Sequence, residues 1–265
     1  MIVERILAYR KLPASSATSG SFVPLPEEAC RAPVPMLPPI SALVVDVGGV
    51  IYDDTCWWRW LAQVLSHAGV RVRHEVLWED WESEYLRLGT CDEPTFWKSL
   101  RQCLHRLGLT ASCCDEIRAA ASAQRKQWET SLLAFPGVQS TLHDLSQLQV
   151  PIDAIVGACS TSEQLWRRLR VLSLASYFHH AVSAGDRGCS LLDTSFYQQL
   201  VQQRGWDAEK VALVSSKPRH LHAARRCGWI PIAVSCLGNF RTDFCLGHLA
   251  NLPGQLRYRC TRQAA

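Results

Sequence analysis

The sequence predicts an α/β protein, a doubly wound parallel sheet interrupted by an inserted helical segment. Three observations predict it. Short apolar runs recur at Ser41–Asp46, Ile152–Ala158, Val211–Ser215 and Ile230–Val234, and runs without polar alternation belong to strands covered on both faces. Beyond residue 150 these runs alternate with segments of helical spacing, as parallel strands joined by crossover helices do. Between the first run and the second lie about ninety residues of helical periodicity with no strand-like run.

The elements follow in chain order. Residues 12–39 contain seven prolines and the cluster Ser15, Ser16, Thr18, Ser19 and Gly20, a composition that neither continues a helix nor donates to a sheet ladder. Residues 1–39 are therefore expected to be a tail, with the apolar start Met1–Tyr9 either a docked element or simply upstream sequence. Ser41–Asp46 ends in a carboxylate and runs at once into Gly48 and Gly49. That is the pattern of a buried strand feeding a tight loop, and ligands bind at the carboxyl ends of strands in open α/β sheets.

From Trp57 to Gln149 the spacing is helical. Trp57, Trp60, Leu61, Val64 and Leu65 share one face, Trp78, Trp81, Tyr85 and Leu88 a second, and Phe96, Leu100, Cys103, Leu104 and Leu107 a third. Gly89, Gly108 and Pro136-Gly137 punctuate them. Six of the ten tryptophans fall between Trp57 and Trp97; intervals of three favour a buried helical core over a partner-binding surface. Strand and helix then alternate through helices at 162–172, 194–204 and 219–227 and a short strand at 181–183, before a closing strand fragment and helix over 240–256. The expected division is a core of 40–55 and 136–257, a helical insertion of 56–135, and a C-terminal tail of 258–265.

A chain of 265 residues with 48% hydrophobic and 20% charged residues has the composition of an ordinary folded protein. Its net charge of +4 comes from dispersed arginines without a basic stripe, which argues against nucleic-acid binding. No apolar run reaches the roughly 20 residues a membrane span needs. The twelve cysteines include no CxxC pair, and no secretory leader is recognisable, so free thiols in a reducing cytoplasm are expected. The expected partner is a small-molecule substrate or ligand; oligomeric state leaves no mark in the sequence.

The order of strand, Asp-x-x-Gly-Val, helical insertion and returning α/β half resembles the haloacid dehalogenase superfamily of hydrolases with a helical cap inserted after the first motif. The matching segments are Val44–Asp53, Leu88–Trp97, Phe135–Val138, Leu174–Phe178 and Ala223–Gly228. The resemblance makes Asp46 the nucleophile that forms an aspartyl ester. It places Gly48 where a second aspartate usually serves as general acid and base, with Gly49 beside it in the substrate-binding loop. The hydroxyl of the second motif falls on Cys159 or, with a shift of one or two residues, on Ser160 or Thr161; a helix cap is the other reading of this stretch.

The resemblance sets Ser190 and Leu191 where Lys-Pro belongs. Arg187 and Lys217 are the nearby cations able to replace that lysine, although each also reads as a solvated charge. The last motif, normally rich in magnesium-binding carboxylates, here reads Val214-Ser215-Ser216-Lys217 with His220 at the later acidic position. Val-Ser-Ser is similar to the metal-free dehalogenase branch, in which Asn and then Asp stand at positions 217 and 220. Magnesium is therefore expected only if a phosphatase-like site survives, with Asp46 as its sole carboxylate. A histidine metal site from His220 and His222 is disfavoured, since residues two apart on a helix do not share a face. The first functional expectation is a degenerate homologue, weakly active or inactive, with a binding or regulatory role. The alternative is an active phosphatase or haloacid-dehalogenase-like hydrolase using Asp46.

Overall fold

The computed structural model describes residues 37–84, 93–235 and 244–260. The Met1–Tyr9 segment, most of the proline-rich tail, and Tyr85 and Leu88 with the first half of the 88–97 match lie outside the described residues. Among the described residues six strands form one sheet: β1 (Ala42–Asp46), β2 (Ile152–Val156), β3 (His180–Ser183), β4 (Val211–Ser215), β5 (Ile230–Val234) and β6 (Phe244–Leu246). They lie in the order β3-β2-β1-β4-β5-β6, and every pairing is parallel.

Alternation along β1 divides its side chains between two apolar layers. Leu43 and Val45 pack with α5 (Val138–Ser146), α6 (Ser162–Val171) and α9 (Leu252–Cys260) through residues such as Leu142, Leu169 and Leu252. Ala42 and Val44 pack on the opposite face with α7 (Thr194–Arg204) and α8 (Pro218–Arg225) through Phe196, Leu200 and Leu221. Both faces being covered, the apolar runs lack a polar alternation, and the doubly wound α/β expectation holds. The chain winds outward from β1 through β2 to β3, then returns to β4 on the other side of β1. This reversal opens a crevice at the carboxyl ends of β1 and β4, where Asp46 and Ser215 are the last strand residues.

The expected second strand, 152–158, stops at Val156 because the chain turns at Gly157, whose carbonyl accepts from the Ser160 amide at 3.3 Å. The helix expected over 219–227 starts one residue earlier, with Pro218 in the first turn where its missing N–H costs no bond. The last helix continues into the expected tail, to Cys260.

Among the described residues four helices lie between β1 and α5: α1 (Cys56–His67), α2 (His74–Glu84), α3 (Glu93–Arg106) and α4 (Ala111–Thr130). Gly108 ends α3 and Gly137 precedes α5, both at positive φ, the conformation only glycine adopts without strain. These helices own a separate apolar cluster around Trp57, Trp58, Trp81, Phe96, Leu100 and Ile117. Trp57 and Trp81 are core residues, as the spacing predicts; Trp58 is buried as well, while Trp60, Trp78 and Trp97 are only partly buried against this cluster. Entry and exit of the insertion are pinned together: Tyr52 bridges Ala134, and the Phe135 amide donates to the Ile51 carbonyl at 2.8 Å. Cys103, Cys113, Cys114 and Cys189 are buried cysteines outside any disulfide, and no described helix is long and apolar enough to cross a membrane.

Candidate active site

At the end of β1, Asp46 is 1% exposed. Its Oδ2 accepts from Ser215 Oγ at 2.8 Å and from His220 Nδ1 at 2.7 Å. An ionised carboxylate only accepts, so the imidazole proton in this contact sits on Nδ1. Burial alone would raise the Asp46 pKa, but Lys217, His220 and the two hydrogen bonds together outweigh it and hold the carboxyl below its ordinary value. Asp46 is therefore an anion at neutral pH, with Oδ2 engaged by both donors.

Each partner is positioned by the fold. Ser215 ends β4, next to β1. His220 lies in the first turn of α8, which folds it back over the strand end; it is 3% exposed and its carbonyl accepts from Tyr197 Oη at 3.3 Å. Lys217, just before α8, points its ammonium at Asp54 Oδ2, 2.6 Å away, with both side chains 22% exposed. The same ammonium lies 5.6 Å from the centre of the Trp78 ring. Lys217 is thus a half-buried site residue and not a solvated surface charge.

Gly48 explains how Asp54 fits. A Cβ built there would overlap Asp54 Oδ2 and lie 3.0 Å from Lys217 Nζ. The Asp54–Lys217 pair occupies the space that a side chain at position 48 would need.

The crevice is a cavity of about 100 Å³. Asp46, Gly48, Cys159, Ser160, Ser190 and Lys217 line it together; all six stood among the sequence candidates. Ser190 is buried, and its Oγ accepts from the Leu192 amide at 3.1 Å. The Cys159 carbonyl is held by Arg125 Nη2 at 2.6 Å.

Three candidates do not line it. Thr161 caps α6, accepting from the Gln164 amide at 3.1 Å while Gln164 Oε1 accepts from the Thr161 amide, a reciprocal capping box. Gly49 shapes the loop, at φ 78° with its amide on the Tyr52 carbonyl. Arg187 lies in a short 3₁₀ turn after β3, bonded to Gln203 and stacked over Phe196; the chain leaves β3 on the far side of β2, so sequence proximity to Ser190 does not bring it to Asp46.

The sequence reading missed Asp54, Arg125, Arg168, Tyr52 and the Trp57, Trp58 and Trp128 rings as lining residues, and it assigned His220 no bond to Asp46. Arg168 is 5% exposed, paired with Glu129 at 2.8 Å and placed over Trp128. The one available signal was His220, flagged by its register at an acidic family position.

Magnesium does not fit this donor set. It demands about six oxygens in octahedral array, whereas Oδ2 of Asp46 is taken by two donors and Asp54 by an ammonium. Among the described residues no cluster of three His, Cys, Asp or Glu has metal-binding geometry.

Residues 40–228 match the haloacid dehalogenase-like hydrolases. The chain belongs to this family. No curated protein sequence matches it significantly. Among solved structures it is similar to the L-2-haloacid dehalogenase from Xanthobacter autotrophicus, at 17% identity and TM-score 0.59, covering 83% of this chain and 99% of that one. A 2-haloacid dehalogenase from Pseudomonas syringae pv. tomato gives 20%, 0.53, and 83% and 99%. A predicted phosphoglycolate phosphatase from Haemophilus somnus gives 9%, 0.60, and 80% and 96%. At such identities the likeness establishes the family fold, a parallel sheet with flanking helices, and the chemistry rests on the site.

Proposed function

We propose that this family member is a metal-independent hydrolase in which Asp46 displaces a leaving group from a carbon atom of a small organic substrate. The observation that carries the reading is the Asp46 carboxylate, buried and anionic, with Oδ2 gripped by Ser215 and His220 and Lys217 beside it. Oδ1 attacks the substrate carbon; the new C–O bond forms as the old bond breaks, and the leaving group departs with its electron pair. Water then hydrolyses the ester, releasing an alcohol and restoring Asp46.

A silenced site is the expectation when no cation stands near the nucleophile, and Lys217 supplies that cation from a different motif. The cavity volume suits a ligand of few heavy atoms, for a cavity of roughly 150 Å³ accepts benzene. Cys159, Ser160 and Ser190 line its core side, and the helical insertion serves as a cap, adding Trp57, Trp58, Trp78 and Phe96 to exclude water. Arg125 and Arg168 favour an anionic substrate.

The test is halide release from 2-chloropropionate by the purified protein in EDTA, abolished in Asp46→Asn. Hydrolysis of p-nitrophenyl phosphate that requires added magnesium, without metal-free halide release, would replace this reading by a phosphatase. Inertness toward both substrates would restore the binding role.

A further inference from the structure

Among the described residues, Asp46 accepts its side-chain hydrogen bonds through one oxygen. Ser215 Oγ and His220 Nδ1 both donate to Oδ2, at 2.8 and 2.7 Å, from two different elements, the end of β4 and the first turn of α8. Both donors are buried, Ser215 at 0% and His220 at 3% exposure. Neither is a flexible side chain that has to be recruited. Lys217 reinforces the Ser215 end, since its amide donates to Ser215 Oγ at 3.0 Å, which leaves the hydroxyl proton directed at Asp46.

Resting on the nucleophile reading above, we propose that Ser215 and His220 form an oxyanion hole for the second half of the reaction, with His220 a catalytic residue for hydrolysis of the Asp46 ester. Once Oδ1 carries the substrate carbon, Oδ2 is the carbonyl oxygen of that ester. Water attacks Cγ, the π electrons move onto Oδ2, and a tetrahedral oxyanion develops on an atom that already accepts two short hydrogen bonds. Collapse restores the Cγ–Oδ2 double bond and expels Oδ1 with the substrate as an alcohol, which takes one proton of the water, and the new carboxyl ionises and releases the other to solvent. Donors preorganised at the oxygen where charge develops, in a site shielded from water, contribute most to the step that creates the charge. The two donors also steer the first step, because an oxygen engaged twice is the poorer nucleophile and attack falls to Oδ1. The family places a carboxylic acid at position 220, which as an anion would repel an oxyanion; the imidazole here, its Nδ1 carrying a proton, attracts it.

The measurement is pre-steady-state chloride release from 2-chloropropionate together with the intact mass of the quenched protein, for the wild type, His220→Leu, His220→Asn and Ser215→Ala. Asparagine keeps an N–H donor near the place of Nδ1, and serine to alanine deletes a single oxygen, so a folded variant is available at each donor. The expected result is a burst of one chloride per protein in His220→Leu and Ser215→Ala, followed by turnover slowed about 10²- to 10³-fold. Protein carrying the propionyl ester should accumulate, and His220→Asn should recover most of the turnover. Burst and turnover slowing together with no adduct, or wild-type turnover in His220→Leu, would overturn the oxyanion hole while leaving Asp46 as nucleophile. A wild type that yields neither chloride nor adduct would remove the nucleophile reading and this one with it.

Discussion

Lys217 carries the most consequential change of place in the site. The lysine expected at position 190 is absent, Ser190 standing there, yet an ammonium from just before α8 lines the same cavity and lowers the Asp46 pKa. Its location depends on Asp54, whose carboxylate lies in the space above Gly48. Lys217→Met is therefore expected to raise the Asp46 pKa, since the removed charge is the largest influence lowering it. Turnover should fall by about a hundred-fold or more, as loss of an electrostatic stabiliser does. The check is a pH–rate profile whose acidic limb moves upward in Lys217→Met; an unmoved limb would mean that Lys217 does not act on Asp46. Gly48→Ala should fail for a steric reason, because the added methyl meets Asp54 Oδ2 and displaces the pair. Its loss of activity should exceed that of Gly157→Ala, a change at another cavity-lining glycine where an added Cβ meets no heavy atom within 4 Å. A comparison of rates at saturating substrate decides this, equal losses counting against the Asp54–Lys217 assignment.

At the scale of elements, aromatic packing joins the helices of the insertion. Trp58 lies edge-on to Trp57 and Trp78 at 4.8 and 5.1 Å between centroids, and Trp81, fully buried, meets Phe96 at 5.1 Å. Trp57 is fixed by its Nε1 donating to the Ala121 carbonyl at 3.1 Å, which ties α1 to α4. Trp81→Ala should cost about 3–5 kcal/mol, the usual range for emptying a large aromatic site. Because Trp81 belongs to the insertion's own cluster and not to either sheet layer, the loss should concentrate there. Hydrogen exchange is expected to accelerate in α1 to α4 and to stay slow in β1 and β4; uniform acceleration would mean that the insertion and the sheet unfold as one unit. These elements were legible in the sequence because their periods are strict. Thr194–Arg204, Val211–Ser215 and Ile230–Val234 were bounded correctly by a helix cap glycine and by all-apolar strands. The second strand was overextended, because apolar Ala158 continues the pattern while the backbone has already turned at Gly157.

For the whole molecule, the topology was readable and the electrostatics were not. Alternating strands and helices admit few parallel arrangements, so Asp46 beside Ser215 followed from the fold. Which cation and which imidazole close over Asp46 depends on how the 47–55 loop and the first turn of α8 meet, and no local pattern encodes that encounter between Asp54 and Lys217. Its thermodynamic trace is predictable in sign. A carboxyl with a pKa depressed on folding releases its proton more readily in the native state, so it contributes stability at pH values above its ordinary 3.8. That contribution disappears as pH falls from about 4 through the lower native value, where folded and unfolded chains both hold the proton. Asp53, Glu75 and Asp207 are depressed as well, but they are shared by the wild type and Asp46→Asn and cancel in their difference. Urea midpoints of the two proteins at pH 7, 5 and 3 isolate Asp46. Between pH 5 and pH 3 the difference between them should shift against the wild type. A difference that stays flat to pH 3 would show that burial offsets Lys217 and His220 in full, and that Asp46 enters the native state with an unperturbed affinity for its proton.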